Sequence, residues 1–351
     1  MSQSGIGRMT DVAILLDAEE SRQIRVLCAE SSARISGHTV DSPHAMVEAE
    51  VAGCDLPTRL IRALAAFRQD GNARGSLLIQ GLPIDEDLVP TPASGDAHSW
   101  REVPIATMAQ LSVVSRLGDA ISFADEKGGR LVQDIVPVRG AEHRQENSGS
   151  TFMELHTEDG FHPFKPDFVT LLCLRSDHDG DALTVIGSAP QIAKRLSAES
   201  LLALREPEYR IRIASSFAAG GTVGHSEPMA VLTGSLADPD LAADIHAMEP
   251  LTQAARRALD EFAAVATQVV VGAVLAPGDL LIVDNRVALH GRSGFRPRFD
   301  GRDRWLRRCF AVADLRRSRA YRTAGSRVCA PLTEITEGRE RHGRTPVETS
   351  A

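Results

Sequence analysis

The amino-acid sequence predicts a mainly β fold, a sandwich or barrel with flanking α-helices packed on its outside. From about residue 130 onward, the chain contains many short β-rich runs, each bounded by Gly, Pro, Asp or Asn. Only two helical patterns interrupt these runs, too few for the strand–helix alternation of a doubly wound parallel sheet. The other helical patterns lie in the amino-terminal third, and their helices are expected to pack outside the strands.

The amino-terminal part, residues 10–122, has a mostly helical pattern. Its first helix begins with a capping box, Asp17 with Glu20 three residues later, ahead of apolar residues at helical spacing. The remaining elements predicted there are a helix opened by Ser42-Pro43, a helix from Pro57 to about Gly71, a strand over 75–84 and a helix over 105–122.

The predicted β core covers about residues 128–320. Its strand-like runs, in chain order, are RLVQDIVPV, TFMELH, DFVTLLCL, ALTVIG, YRIRIAS, MAVLTG, DLLIVDN and WLRRCFAVADL. Helical inserts lie at 188–205 and at about 250–270, and the polar tail 336–351 is expected to be flexible. Because no repeat or linker composition divides the rest of the chain, residues 1–335 are expected to form one domain.

Charge and composition argue against several classes of protein. The 39 basic and 47 acidic side chains give a formal net charge of −8, whereas a nucleic-acid binder normally carries a basic surface. No stretch approaches the roughly 20 apolar residues of a membrane helix, and the first residues lack a signal-peptide pattern. The five scattered cysteines are expected to be reduced thiols. We therefore expect a cytoplasmic protein that binds neither nucleic acid nor membranes.

Two short motifs could bind one metal ion. Strand residues two apart point to the same face, so His156 and Glu158 can offer an imidazole and a carboxylate, while Thr157 points away. A lone His-x-Glu motif is a weak signal, because many such pairs are ordinary surface residues. His290 follows a buried strand and an Asp284-Asn285 turn, and adds a second histidine. Two histidines and one carboxylate are typical of non-heme Fe(II) oxygenases, whose iron keeps three positions open.

Two residues on other predicted strands could bind a cosubstrate at that metal. An α-keto acid that chelates iron needs a cation for its far carboxylate, and Arg304 could provide one bidentately. Thr184, in the run ALTVIG, could donate its hydroxyl to the same carboxylate. Considered singly, Arg304 would be a surface ion pair and Thr184 an ordinary strand residue. In combination with the metal motifs, they favour an α-keto-acid-dependent oxygenase.

The segments that carry these motifs resemble a known family. LHTEDGFHPFKPDFVTLLCLR, GDALTVIGSA, VLTG and PGDLLIVDNRVALHGRSGFRPRFDGRDRWLRR are similar to the clavaminate synthase-like oxygenases, from about Gly128 to Arg308. This branch of the Fe(II)/2-oxoglutarate oxygenases hydroxylates free amino acids such as arginine, asparagine and lysine in bacterial natural-product pathways, including antibiotic biosynthesis. The resemblance implies a double-stranded β-helix core (jelly roll, cupin-like) with helices outside, in agreement with the strand-rich pattern.

The resemblance also implies roles for residues at the matching positions. The roles are iron ligation for His156, Glu158 and His290, 2-oxoglutarate binding for Arg304 assisted by Thr184, and binding of the substrate's α-carboxylate for Arg308. Glu158 favours the amino-acid branch, because related sulfonate oxygenases carry Asp there. It also disfavours a halogenase, because halogenases replace the carboxylate ligand with a small residue.

The resemblance places recognition of the substrate's side chain and amine in a lid-like segment and a loop. In the arginine-hydroxylating relatives a D-x-D pair in the lid binds the guanidinium, and SLADPDLAADIHAME has Asp244 and His246 at those positions. Asp244 suits a polar or basic side chain, whereas His246 does not match arginine itself. Asp125 and Glu126 lie where relatives contact the substrate amine, although most such loop acids are simply solvated. These residues favour a lysine-like or arginine-like substrate before asparagine.

The sequence therefore predicts an Fe(II)/2-oxoglutarate-dependent dioxygenase that uses O₂ to hydroxylate a free L-amino acid at Cβ or Cγ. Asparagine or another polar substrate stays open, as do desaturation and cyclisation at the same site. A hypothesis of another class is a zinc hydrolase with the same three ligands, which would leave Arg304 unexplained. A non-catalytic jelly-roll binding protein would not need the complete ligand set.

Overall fold

The central strands carry apolar side chains on both faces, so they need a packing layer on each side. In the computed structural model, which describes residues 6–9, 13–95, 101–145, 148–218 and 224–343, a second sheet covers one side and helices cover the other. Within the strand Leu280–Asp284, for example, Leu280 and Ile282 pack against the helices, while Leu281 and Val283 pack between the two sheets. This arrangement is the predicted mainly β fold with flanking helices.

Seventeen strands are described, and most of them form a larger and a smaller sheet. They are β1 Gly7–Arg8, β2 Ala13–Leu15, β3 Ser76–Gln80, β4 Asp119–Phe123, β5 Val132–Ile135, β6 Met153–His156, β7 Phe168–Arg175, β8 Leu183–Ser188, β9 Tyr209–Ile211, β10 Leu232–Gly234, β11 Pro239–Leu241, β12 Met248–Pro250, β13 Val271–Val274, β14 Leu280–Asp284, β15 Ala288–Arg292, β16 Trp305–Val312 and β17 Val328–Cys329. The larger sheet has the order β17-β4-β16-β7-β14-β3-β2, with β5 also paired to β16, and the smaller has the order β1-β13-β8-β15-β6. The pairs β10-β11 and β12-β9 stand apart from both.

Helices form the two outer layers. The described α-helices are α1 Ala18–Arg34, α2 Pro43–Cys54, α3 Thr58–Asp70, α4 Pro104–Leu117, α5 Ala189–Ala193, α6 Ala198–Ala203, α7 Gln253–Val269 and α8 Leu332–Gly343. The capping box predicted for α1 is present, with Asp17 accepting hydrogen bonds from the N–H groups of Glu19 and Glu20. Helices α1–α4 cover the larger sheet, and α5–α7, which form the two predicted inserts, cover the smaller one.

One predicted element is wrong. The pattern over 105–122 predicts a single helix, but α4 ends at Leu117 and the next residues form β4, which pairs with β16. The backbone at Gly118 comes so close to β16 that an added Cβ would lie 2.3 Å from the carbonyl oxygen of Val312. Pairing in the sheet therefore outweighs the local helical pattern.

The chain termini also differ from the sequence expectation. Helix α8 runs to Gly343, through the first part of the tail that was expected to be flexible, and residues 344–351 lie outside the described part. The helix is held because Leu332 and Ile335 are buried in the core between the sheets. The short strands β1 and β2 have no counterpart in the prediction, since two or three residues show no clear alternation.

Among the described helices, none combines the length and apolar character needed to cross a membrane. All five cysteines are unpaired, Cys54 exposed and the other four buried. The formation of one domain by residues 1–335 stays a prediction.

Candidate active site

Strand pairing in the smaller sheet brings the three predicted metal-binding residues together. In the antiparallel pair β6–β15, His156 lies opposite His290, so both imidazoles project from the same face, with ring centroids 4.4 Å apart. Glu158 lies two residues beyond His156, in the turn after β6. The Glu158 N–H donates to Asn285 Oδ1 (2.7 Å), and Asn285 Nδ2 donates to the Glu158 carbonyl (3.0 Å). The turn between β14 and β15 therefore fixes the carboxylate beside the histidines.

The surroundings of the three side chains suit metal binding. His156 Nδ1 is hydrogen-bonded to the carbonyl of Glu154 (2.9 Å), which leaves Nε2 available as a ligand. Burial and the neighbouring His156 lower the pKa of His290, so its imidazole is neutral. Burial raises the pKa of Glu158, but Arg308 and His290 outweigh it and hold that pKa below its usual range.

The geometry of the donors fits Fe(II). One ligand atom from each of His156, Glu158 and His290 lies within 4.8 Å of the others, and His290 Nε2 is 3.4 Å from Glu158 Oε2. Two imidazoles and one carboxylate on a single face can hold an octahedral ion and leave three positions for other ligands.

The metal face opens onto two adjoining cavities. The larger has a volume of about 310 Å³, and its lining includes Glu126, His156, Glu158, Asp159, Phe217 and Asp244. The smaller lies between the sheets, and its lining includes Thr184, His290, Arg292, Arg304 and Arg308. Burial and the neighbouring Glu126 and Glu158 raise the pKa of Asp159 well above its usual range.

Arg304 and Thr184 meet in the smaller cavity. Arg304 Nη2 donates to Thr184 Oγ1 at 3.2 Å, and both side chains are buried. Within the described part of the chain, no carboxylate lies within 4.0 Å of the Arg304 guanidinium. A buried guanidinium without an acid partner is suited to a carboxylate supplied by a ligand.

Arg308 lies on the same face of β16 as Leu306 and Phe310, which point between the sheets, whereas Trp305 and Cys309 point to the helices. Its side chain is nearly enclosed. Nε donates to Gln133 (2.9 Å), Nη1 donates to Glu158 (2.8 Å), and Nη2 donates to Glu126 and Gln133. Arg308 therefore also positions the carboxylates of the site, which the sequence did not predict.

The four acidic and lid residues predicted to contact substrate fall into two groups. Asp244 and Glu126 both line the larger cavity. Asp244 also pairs with His156 in a β-bridge, and Glu126 Oε2 is buried and has no hydrogen-bond partner. Asp125 is directed elsewhere, because its carboxylate accepts the N–H of Leu332 at 2.7 Å. His246 is exposed and does not line the cavity. In this structure Asp125 and His246 therefore lie away from the larger cavity, and their contact with substrate stays a prediction.

Several residues of the site were not predicted. Asn285 and Gln133 hold Glu158 and Arg308, and both are buried amides. Arg292 lies on β15 two residues after His290, and this spacing alone would have placed it on the same face. The partners of the two amides come from distant parts of the chain, and no local pattern indicates them.

A face of two histidines and one carboxylate, with Glu158 and His290 buried and His156 half-buried between the sheets of a β-sandwich, defines a non-heme Fe(II) oxygenase of the jelly-roll class. Residues 39–310 match the family described as "Taurine catabolism dioxygenase TauD, TfdA family". The chain belongs to this family, which confirms the fold and the oxygenase class that the sequence predicted.

Named relatives cover most of the chain. An L-asparagine oxygenase of Streptomyces coelicolor is 39% identical over 324 residues, 92% of this chain and 96% of the relative. An L-lysine 3-hydroxylase of Catenulispora acidiphila is 36% identical over 300 residues, 84% of this chain and 83% of the relative. A crystal structure of asparagine oxygenase with Fe(II), 2S,3S-3-hydroxyasparagine and succinate superposes with a TM-score of 0.86, at 38% identity, covering 91% of this chain and 99% of that one.

Proposed function

We propose that the protein is an Fe(II)/2-oxoglutarate-dependent dioxygenase that hydroxylates an unactivated C–H, at Cβ or Cγ, of a free L-amino acid. The observation that carries this proposal is the position of the metal face between two cavities with different linings. One contains a buried arginine and threonine suited to a carboxylate, and the other contains acidic side chains suited to nitrogen donors. A role in natural-product biosynthesis fits the family resemblance.

The chain's residues position the reactants around the metal. Bound iron, with 2-oxoglutarate and O₂ as cosubstrates, supplies the oxidising chemistry that hydroxylates the C–H bond. His156, Glu158 and His290 hold the metal on one face. Arg304 and Thr184 hold the far carboxylate of 2-oxoglutarate, and their burial keeps water from competing for it.

The amino-acid head group fits Glu126, which lines the larger cavity, and Arg308, which lines the smaller cavity and contacts Glu126. Glu126 Oε2 is buried without a partner, and an α-ammonium group would satisfy it. A guanidinium has five N–H donors, and the contacts of Arg308 with Gln133, Glu126 and Glu158 use four of them. We assign the remaining donor, on Nη1, to the α-carboxylate.

The side chain of the substrate is expected to end in a nitrogen donor. Asp244 Oδ1 accepts the N–H groups of His246 (2.9 Å) and Ala247 (2.8 Å), and among the described residues nothing donates to Oδ2. Oδ2 can therefore accept from a side-chain amide, ammonium or guanidinium. A lysine-like or arginine-like side chain would pair its charge with Asp244, but a second acid is absent from position 246. The single acid, together with the similarity to asparagine oxygenase over 92% of the chain, favours asparagine as the second candidate.

A panel of free amino acids tests the proposed function. Oxygen uptake and succinate formation should require Fe(II) and 2-oxoglutarate, and should occur with asparagine, lysine, arginine or ornithine rather than with glutamate or leucine. Hydrolysis that needs zinc and no 2-oxoglutarate would support the zinc hydrolase instead. A clear preference for glutamate would show that Asp244 does not contact the substrate.

Replacing Asp244 with asparagine should lower kcat/KM for the preferred substrate by roughly 10–100-fold, because one hydrogen bond to a charged group is lost. Asparagine keeps the Oδ1 acceptor, so the turn at Ala247 should persist. The matched control is Asp240→Asn, an exposed acid of the same lid segment, which should leave kcat/KM unchanged. An equal loss for both variants would contradict a contact between Asp244 and the substrate.

Thr157 should act as a positioning residue for the lid. Its hydroxyl donates to the carbonyl of Ala243 and accepts the N–H of the same residue, both at 3.1 Å, next to Asp244. Thr157→Val would leave that buried N–H unpaired, at a cost of about 1–3 kcal/mol. We expect a higher KM for the amino acid with an unchanged KM for 2-oxoglutarate, measured by steady-state kinetics. Thr157→Ser should restore the amino-acid KM, and equal changes in both KM values would contradict this role.

A further inference from the structure

Arg292 lies beside the predicted 2-oxoglutarate residues, although neither the sequence pattern nor the family resemblance assigns it a role. In the antiparallel pair β8–β15, Arg292 is opposite Thr184. Directly opposed residues of such a pair project from the same face of the sheet. Arg292 and Thr184 both line the smaller cavity, together with His290 and Arg304.

The guanidinium of Arg292 lacks a charge partner. The residue is only 5% exposed; Nη2 donates to the carbonyl of Thr151 at 3.1 Å, and Nε is buried without a hydrogen-bond partner. Within the described ranges, no carboxylate lies within 4.0 Å of this guanidinium. A buried cation without an anion is costly unless a ligand brings one.

The two arginines of this cavity share one aromatic ring. The guanidinium carbon of Arg292 is 5.1 Å from the centroid of Phe295, and that of Arg304 is 5.8 Å from the same centroid. Two buried cations around one ring repel each other, and an anion bound near both would relieve the repulsion.

We propose that Arg292 is a second cation for the far carboxylate of 2-oxoglutarate and determines the preference for a dicarboxylic 2-oxo acid. This inference rests on the proposed function. Arg304 and Thr184 bind the carboxylate, and Arg292 adds a second charge from the opposite strand. A 2-oxo acid of the same chain length without the far carboxylate, such as 2-oxovalerate, would leave both cations unpaired.

Binding measurements test the role of Arg292 independently of turnover. Fe(II)-loaded full-length enzyme is titrated under argon by calorimetry with 2-oxoglutarate and, separately, with 2-oxovalerate. Arg292→Met should weaken 2-oxoglutarate by about 10-fold or more, the effect of losing one charge-assisted contact, and should change 2-oxovalerate by less than about 2-fold. Arg292→Lys, which keeps the charge, should retain most of the preference.

The control is Arg296→Met, which removes an exposed guanidinium shortly after β15 and should bind both acids as the wild type does. Equal weakening of both acids by Arg292→Met, or no weakening of either, would overturn the inference. A lower thermal unfolding temperature with an unchanged preference would also overturn it, because Arg292 would then serve only its bond to Thr151. Wild-type enzyme that binds no 2-oxoglutarate would instead contradict the proposed function itself.

Discussion

Replacement of His290 with alanine is expected to abolish Fe(II)-dependent oxygen uptake. His290 provides one of three protein donors, and the other two lie on a strand and a turn that cannot shift to replace it. Mutations that only disturb the support of a metal ligand typically cost 10–100-fold, so loss of a ligand should cost more than about 100-fold in metal affinity. Metal content after gel filtration and oxygen uptake with 2-oxoglutarate measure the two effects.

Controls separate loss of the metal from loss of the fold. His156→Ala and Glu158→Ala should behave as His290→Ala does, because the three donors act as one unit. His225→Ala removes an exposed histidine that pairs with Glu249 at 3.1 Å, and should keep full activity. Circular dichroism should be unchanged in all four variants. Retained iron and activity in His290→Ala would mean that another residue is the distal ligand.

The part of the site that sequence analysis could predict depends on short-range geometry. His156 and Glu158 are two residues apart at a strand end, and strand alternation places them on one face without knowledge of the fold. The sequence offered His290 as a second histidine after a buried strand, and the family resemblance implied its role, whereas the pairing of β6 with β15 that joins it to His156 is visible only in the structure. The same alternation would have indicated Arg292, two residues after His290.

The remaining features depend on contacts between distant segments. Asp125 and Glu126 are adjacent, yet one carboxylate accepts a backbone N–H of α8 while the other enters the cavity. The chain turns directly after them, at Lys127–Gly129, and no local pattern shows which acid will face inward. The strand β4 was similarly hidden, because its partner β16 lies near the other end of the chain.

Arg304 and Arg308 should bind different anions, and their replacement with methionine should separate the two. Arg308 lies on β16, Arg304 directly precedes that strand, and both side chains line the smaller cavity. Arg304 contacts Thr184 and has no acid partner among the described residues, so Arg304→Met should mainly raise the KM for 2-oxoglutarate. Arg308 contacts Glu126 at the border of the larger cavity, so Arg308→Met should mainly raise the KM for the amino acid.

The expected effects are large because both guanidinium groups are buried, at 5% and 1% exposure. Truncating one partner of a buried charge pair costs about 2–5 kcal/mol, which corresponds to roughly 30-fold to several-thousand-fold in an apparent affinity. Arg308→Met should also lower kcat, because Glu158 loses the Nη1 donor that orients it at 2.8 Å. Arg302→Met, an exposed arginine next to the same strand, is the control and should change neither KM. Steady-state kinetics with the reverse assignment would contradict both roles, because the Arg304–Thr184 pair would then bind the amino acid.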